Sequence, residues 1–229
     1  MKEVSVIAVA KSREELKPLI SALKKQSFQG FELVTSQKKG IPQALNDAIS
    51  RAKGKILVIT ESDAMPLTNT WLEEMVEAVK RHGEKTIIRG IEVRQTPWCW
   101  SNIACHSSVL KNNKMNENFP LAEDTELFAR LNNLGYKGLE LPIAPVLHER
   151  KSKGFWKSVN NSFAYGRLLV KINLKYNNID FNPEKIKGSS IIKREIQEIF
   201  SRIAFLCGAI VGFIGHNLAG KKNDRKTNS

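Results

Sequence analysis

The chain has 229 residues, enough to bury a full core as one domain of ordinary size with an appendage, or as two small domains. A hydrophobic content of 41% excludes a disordered chain, and three cysteines (Cys99, Cys105, Cys207), odd in number and without framework spacing, exclude a disulfide scaffold and favour a reducing compartment. The formal net charge of +13 calls for an anionic partner, whether nucleic acid, an acidic membrane face or a phosphorylated substrate.

Val4 to Val9 reads as a buried strand, and the apolar run meets Lys11 too soon for a secretion signal, so the catalytic part is expected in the cytoplasm. Ser12-Arg-Glu-Glu15 is a capping box that opens a helix through about Gln26. Phe31 to Thr35 makes a second strand, Ile41 to Ala52 a helix, and Gly54 the turn into Ile56 to Glu61, a β-branched run too short for a helix. Alternating strands and helices predict a parallel, doubly wound α/β sheet. The third strand stops at Glu61, Ser62, Asp63 and Pro66, and open α/β sheets place ligands at such carboxyl ends. No Gly-x-Gly-x-x-Gly or Gly-Lys-Ser/Thr is present, so a bound diphosphate needs another counter-charge; a magnesium or manganese ion on Asp63 would supply it.

Thr70-Trp-Leu-Glu73 reads as a second capping box, opening a helix to His82-Gly83, and Ile87 to Val93 as a strand. From Pro97 to Met115 the pattern is irregular. Trp98 and Trp100 there suit either a stacking platform for a sugar ring or the core, and Cys99, Cys105 and His106 match no zinc-site spacing. Glu123 and Asp124 open an amphipathic helix with apolar Leu127, Phe128, Leu131 and Leu134, whose dipole favours their ionised forms. Gly135-Tyr136 closes it, and Leu139 to Leu147 reads as a strand interrupted by Pro142 and Pro145. The strand leads to His148, open to a structural or a ligand reading.

Beyond this point the charge is one-sided: from Arg150 to Arg194 eleven Lys and Arg face only Asp180 and Glu184. Gly154 to Lys175 reads as a basic amphipathic helix, suited to packing on the catalytic domain and to anionic lipid or a phosphorylated acceptor, and Asn177 to Ser189 as a linker. The stripe Ile192, Ile196, Ile199 and Ile203 runs into an uncharged segment, 203–220, at the lower edge of a span's length. A monotopic or shallow re-entrant helix fits it first and a marginal span second. Gly208 and Gly212 form a Gly-x-x-x-Gly, a signal for close helix packing. The expected organisation is a catalytic domain over 1–150, a basic amphipathic helix and linker over 151–189, an amphipathic to apolar membrane-associating helix over 190–220, and a disordered tail over 221–229.

The order of these features resembles the inverting glycosyltransferases of family 2, which have the GT-A fold. The marks are Val4 to Val9, Ala44-Leu45-Asn46, Glu61-Ser62-Asp63 in place of an Asp-x-Asp, Trp71-Leu72, Ser101-Asn102, Ala122-Glu123-Asp124-Thr125-Glu126-Leu127 with Arg130-Leu131, Gly135-Tyr136 and His148. The resemblance spans roughly residues 4 to 150. It implies a mixed, mostly parallel sheet with flanking helices, here with a C-terminal helical extension, and a nucleotide-diphosphate sugar as donor. It also implies an Mg2+ or Mn2+ ion held by Asp63 with Glu61 and His148, and Asp124 as general base with Glu123 as the alternative. Lys11, Asn46, Glu61 and Asp63 are then expected on the donor side, and Trp98, Trp100 and Asn102 on the acceptor side. Two departures stand out. Thr35-Ser36-Gln37 replaces the family's aspartate after the second strand, and Ala8 to Lys11 replaces its proline, aromatic and asparagine, so Lys11, Lys38 or Lys39 is expected to contact the donor.

The expected function is metal-dependent, inverting sugar transfer to a lipid-linked or polysaccharide acceptor at the cytoplasmic membrane face. A non-catalytic partner subunit of the same fold is the alternative. Nucleic-acid binding has only the charge in its favour and no recognition motif.

Overall fold

The computed structural model describes residues 2–93, 100–148, 155–176, 205–209 and 211. Contacts divide the chain into two units, 1–150 and 151–229.

The first unit has a six-stranded sheet in the order β2-β1-β3-β6-β5-β7, formed by β1 (Val4–Val9), β2 (Phe31–Ser36), β3 (Ile56–Glu61), β5 (Thr86–Arg89), β6 (Asn102–His106) and β7 (Lys137–Glu140). Strands β2, β1 and β3 are parallel, as are β5 and β7, while β6 runs antiparallel to both its neighbours. Five of the six residues in β1 and in β3 are buried, because helices cover both faces. One layer contains α1 (Arg13–Lys24) and α3 (Trp71–His82), whose Leu19, Trp71, Leu72 and Met75 pack on Val4, Val6 and Val58. The other contains α2 (Ile41–Arg51), α4 (Ser107–Asn112) and α5 (Glu123–Asn133), whose Leu45, Leu110 and Leu127 pack on Ile7, Leu57 and Ile59. The alternation of inward residues along β1 and β3 thus supplies two cores from one sheet.

Local signals act largely as the sequence dictates. Ser12 caps α1 by accepting from Glu15 N, and Gly40 enters α2 at φ +95°, a conformation that favours glycine. Gly83 and Gly135 end α3 and α5 with positive φ. Thr70 departs from its expected role: its side chain makes no cap and bonds Glu74 instead. The strand expected over Ile87 to Val93 ends at Arg89, and residues 91–93 turn to the segment before His148 through Ile91 N to Ile143 O and Val93 N to Val146 O, both 3.0 Å. The strand expected over Leu139 to Leu147 is likewise two pieces in two sheets. β7 extends the main sheet, and β8 (Val146–His148) pairs antiparallel with β4 (Ala64–Pro66), separated by the two prolines that cannot donate to a ladder.

In the second unit α6 spans Phe155–Tyr176, matching the helix expected there, and 205–209 is helical. The two helices meet at glycines: a Cβ on Gly166 would stand 2.2 Å from Phe205 O, and one on Gly208 2.0 Å from Phe163 O. Gly208 therefore serves close helix packing, with Gly166 as its counterpart; Gly212 lies outside the described residues. Among the described residues no helix is long and apolar enough to cross a membrane.

Candidate active site

In-register pairing of Val9 with both Ser36 and Glu61 ends the three parallel strands together, so Lys11 and Glu61 share the carboxyl edge of the sheet. Past that edge Thr60 Oγ1 donates to Ala64 O at 3.3 Å and tightens the turn that holds Glu61, Ser62 and Asp63. β4 follows at once, and its Ala64 lies opposite His148 in the two-stranded sheet. Pairing of two three-residue strands thereby joins an acidic turn to an imidazole 85 positions later in the chain, a proximity that no local pattern encodes.

His148 Nε2 lies 3.1 Å from Glu61 Oε2 and 3.4 Å from Asp63 Oδ1, and the three side chains offer ligand atoms within 4.8 Å of one another. The histidine is buried, whereas the carboxylates are part-exposed, so the group opens outward through its oxygens. Among the described residues neither ring nitrogen has a hydrogen-bond partner in good geometry. Burial by itself would lower the imidazole pKa; Asp63, Glu61 and Glu92 outweigh that and push it up to about 11. A buried nitrogen without a directed partner, beside two carboxylate oxygens, fits a divalent cation with mixed oxygen and imidazole ligands, such as manganese. Magnesium, which favours oxygen, fits when phosphate and water complete its shell.

Asp124 occupies the first turn of α5, behind Ala122 in the left-handed conformation at φ 60°. Its carboxylate accepts from Thr125 N at 2.7 Å. Burial raises its pKa, the Thr125 bonds oppose this, and the negative charge of Glu61 adds to the rise. Glu123, the alternative base, is buried and Asp124 is half-buried, as adjacent helical positions some 100° apart around the axis require.

The remaining expected site residues divide. Lys11 is exposed at the sheet edge, with its backbone N–H on Glu15 Oε2. Asn46 clasps the loop before α5: it donates to Met115 O and Glu117 Oε1 and accepts from Met115 N. Lys38 pairs with Asp47, which Arg51, Ser36 and Lys38 together hold down at about 2. Trp100 and Asn102 correct the acceptor-side expectation. Trp100 is buried and stacks on Phe128 with centroids 5.1 Å apart. Asn102, fully buried, accepts from Trp71 Nε1 at 2.9 Å and donates to Ala144 O at 2.8 Å and Ile91 O at 3.2 Å, which commits its amide to the interior. Trp98 and Cys99 lie outside the described residues. Cys105 is a free, buried core residue whose thiol burial pushes up to about 12.

Sequence reading passed over Glu92 and Arg89, both buried, Glu92 beside His148 and Arg89 beside Glu92. Their one signal is a charge at each end of Arg89-Gly-Ile-Glu92, in a run whose apolar neighbours predict burial.

A mixed sheet of this order, with the acidic turn beyond β3 and a carboxylate at the head of α5, defines a glycosyltransferase of the GT-A fold. The family model Glycosyl transferase family 2 matches residues 6–120, half of the chain, and the chain belongs to that family. No curated protein sequence matches it. Among solved structures it is similar to the mannosyltransferase PcManGT of Pyrobaculum calidifontis, in complex with GDP-Man and Mn2+, with TM-score 0.64 and 13% identity over 96% of this chain and 75% of that one. It is similar also to residues 1–349 of S. aureus TarS, with TM-score 0.56 and 16% identity over 90% of this chain and 81% of that one. The same protein in complex with UDP-GlcNAc gives TM-score 0.54 and 15% identity over 79% and 68%. At these identities the likeness is one of fold.

Proposed function

We propose that the protein is a metal-dependent, inverting glycosyltransferase that moves a sugar from a nucleotide-diphosphate donor to a lipid-linked or polysaccharide acceptor at the cytoplasmic membrane face. The observation that carries this reading is the group Glu61, Asp63 and His148 past the carboxyl end of β3, with the half-buried carboxylate of Asp124 at the head of α5 as the base candidate. The solved relative with GDP-Man and Mn2+ supports the donor class and the cation.

Asp63, Glu61 and His148 would hold the ion. When bound, it stabilises the negative charge that develops on the departing diphosphate. Asp124 accepts the acceptor hydroxyl's proton as that oxygen bonds to the anomeric carbon; the carbon–oxygen bond to the diphosphate breaks on the opposite face, and the configuration inverts. A carboxylate with a raised pKa is the stronger base for this transfer. Lys11 supports donor binding from the sheet edge. Membrane placement draws support from the basic surplus after residue 150 and from Trp156 of α6, 74% exposed.

The test is transfer or donor hydrolysis by the full chain with Mn2+ and a panel of UDP and GDP sugars. Activity is expected to vanish with EDTA, to return with Mn2+, and to fall at least about 100-fold in Asp63→Ala and Asp124→Ala. Activity unchanged in both variants defeats the assignment. Absence of calorimetric binding of any UDP or GDP sugar, together with absence of turnover, points instead to the non-catalytic subunit, a reading favoured by the missing acid after β2 and by the engagement of Lys38 with Asp47.

A further inference from the structure

Glu92 has a side chain only 1% exposed and no role in the reaction as drawn above. Its position is fixed by backbone pairing: Glu92 bridges Val146 in parallel, Val93 N donates to Val146 O at 3.0 Å, and Val146 N donates to Ile91 O at 2.9 Å. His148 is two residues beyond Val146 and so on the same face of β8. The result is Glu92 Oε2 at 3.5 Å from His148 Nδ1, while Nε2 faces Glu61 and Asp63. Behind Glu92 stands Arg89, 6% exposed, with Nη2 at 3.9 Å from Glu92 Oε1 and Nη1 donating to Glu140 Oε2 at 3.1 Å.

Burying a carboxylate and a guanidinium is costly, and a carboxylate on the inner nitrogen of this ring has a specific consequence. A histidine can ligate a cation through Nε2 only if that nitrogen presents its lone pair, so the remaining proton must sit on Nδ1 and be held there. We propose that Glu92 is the positioning residue of this site: when Nε2 ligates a cation, the 3.5 Å contact closes to a hydrogen bond in which Glu92 accepts the Nδ1 proton of His148, fixes the ring plane and keeps Nε2 turned toward Glu61 and Asp63, with Arg89 as its counter-charge. Asn102 supports the arrangement by tying Ile91 O and Ala144 O together across the two segments that bear Glu92 and His148. The inference rests on the cation site proposed above and extends it inward by one layer.

The experiment is Mn2+ binding to the full-length protein, read as loss of the free-ion EPR signal, with and without GDP or UDP. Glu92→Gln is expected to weaken Mn2+ binding about 10–100-fold. In a His148→Gln background, where Glu61 and Asp63 still bind weakly, adding Glu92→Gln is expected to change nothing, because the effect acts through the ring. A loss of equal size in both backgrounds indicates a merely structural role and overturns the proposal, as does wild-type affinity in Glu92→Gln. Should circular dichroism show Glu92→Gln unfolded, Glu92→Asp, which keeps the charge at shorter reach, gives the same comparison with a smaller expected loss. No Mn2+ binding by the wild type under any condition sinks the cation site itself, and this proposal with it; normal wild-type binding with an indifferent Glu92 sinks this proposal alone.

Discussion

At Asp124 burial makes the charged form expensive while the base role proposed for it requires that form, so stability and that role pull in opposite directions. A group whose pKa is raised in the folded state favours folding below its unfolded pKa and loses that contribution as pH rises through the folded value. Asp124→Asn is therefore expected to unfold at a higher temperature than the wild type near neutral pH while losing transfer. The gap should close on acidification to the ordinary carboxylate range, where both side chains are neutral. Thermal denaturation of the pair in EDTA across that pH interval checks it, and a variant no more stable at neutral pH counts against a strained carboxylate. Asn102 makes the opposite case, since its whole amide serves the fold. Asn102→Leu keeps the volume but strands Trp71 Nε1 and two carbonyls, an expected loss of about 2–4 kcal/mol in denaturant unfolding. Sequence pattern singled out Asp63, Asp124 and His148 as candidates because each stands where an apolar run begins or ends. Asn102 entered through the family resemblance alone, and nothing in composition separates a polar residue facing a cleft from one facing Ala144 O.

Among the elements, those with a complete periodic pattern were legible, and those held by tertiary pairing were not. β1, β3, α2 and α5 carry their boundaries in capping, glycine and apolar spacing. β6 has only Ile103-Ala-Cys105 as an apolar run, too short to announce a strand, yet it sits centrally between β3 and β5. β4 and β8 have three residues each and exist because they pair with one another. Gly90 shows how tightly this region is closed: a Cβ there would stand 2.5 Å from Asn102 Nδ2 and 2.8 Å from Ala144 O. Gly90→Ala should displace the Asn102 tie and the segment bearing Glu92, and weaken Mn2+ binding along with stability. In the second unit Gly208→Ala and Gly166→Ala each place a methyl against backbone and are expected to cost roughly 1–3 kcal/mol of helix-pair stability. Faster hydrogen exchange over 160–172 is the readout, and unchanged protection refutes the close approach.

At the level of the whole molecule, a net charge of +13 coexists with a site made of carboxylates. Long-range attraction brings an anionic donor toward the protein, but Glu61, Asp63 and Asp124 repel its phosphates at contact unless a cation intervenes. The basic surplus after residue 150 is the part of this charge that the proposed membrane placement would use. Each Lys or Arg near an anionic bilayer contributes about 1 kcal/mol, an attraction that falls off within a Debye length, about 10 Å at 0.1 M salt and about 3 Å at 1 M. The full chain is therefore expected to co-sediment with phosphatidylglycerol vesicles at 0.1 M salt, and far less with phosphatidylcholine. Raising the salt to about 1 M separates two contributions, because screening removes the ionic share and leaves the apolar one. Release at high salt assigns the attachment to charge; retention assigns it to apolar side chains such as Trp156, Leu206 and Val211, all exposed in the second unit. Failure to bind either vesicle at low salt removes the membrane from the proposal and leaves a glycosyltransferase whose acceptor must come to it in solution.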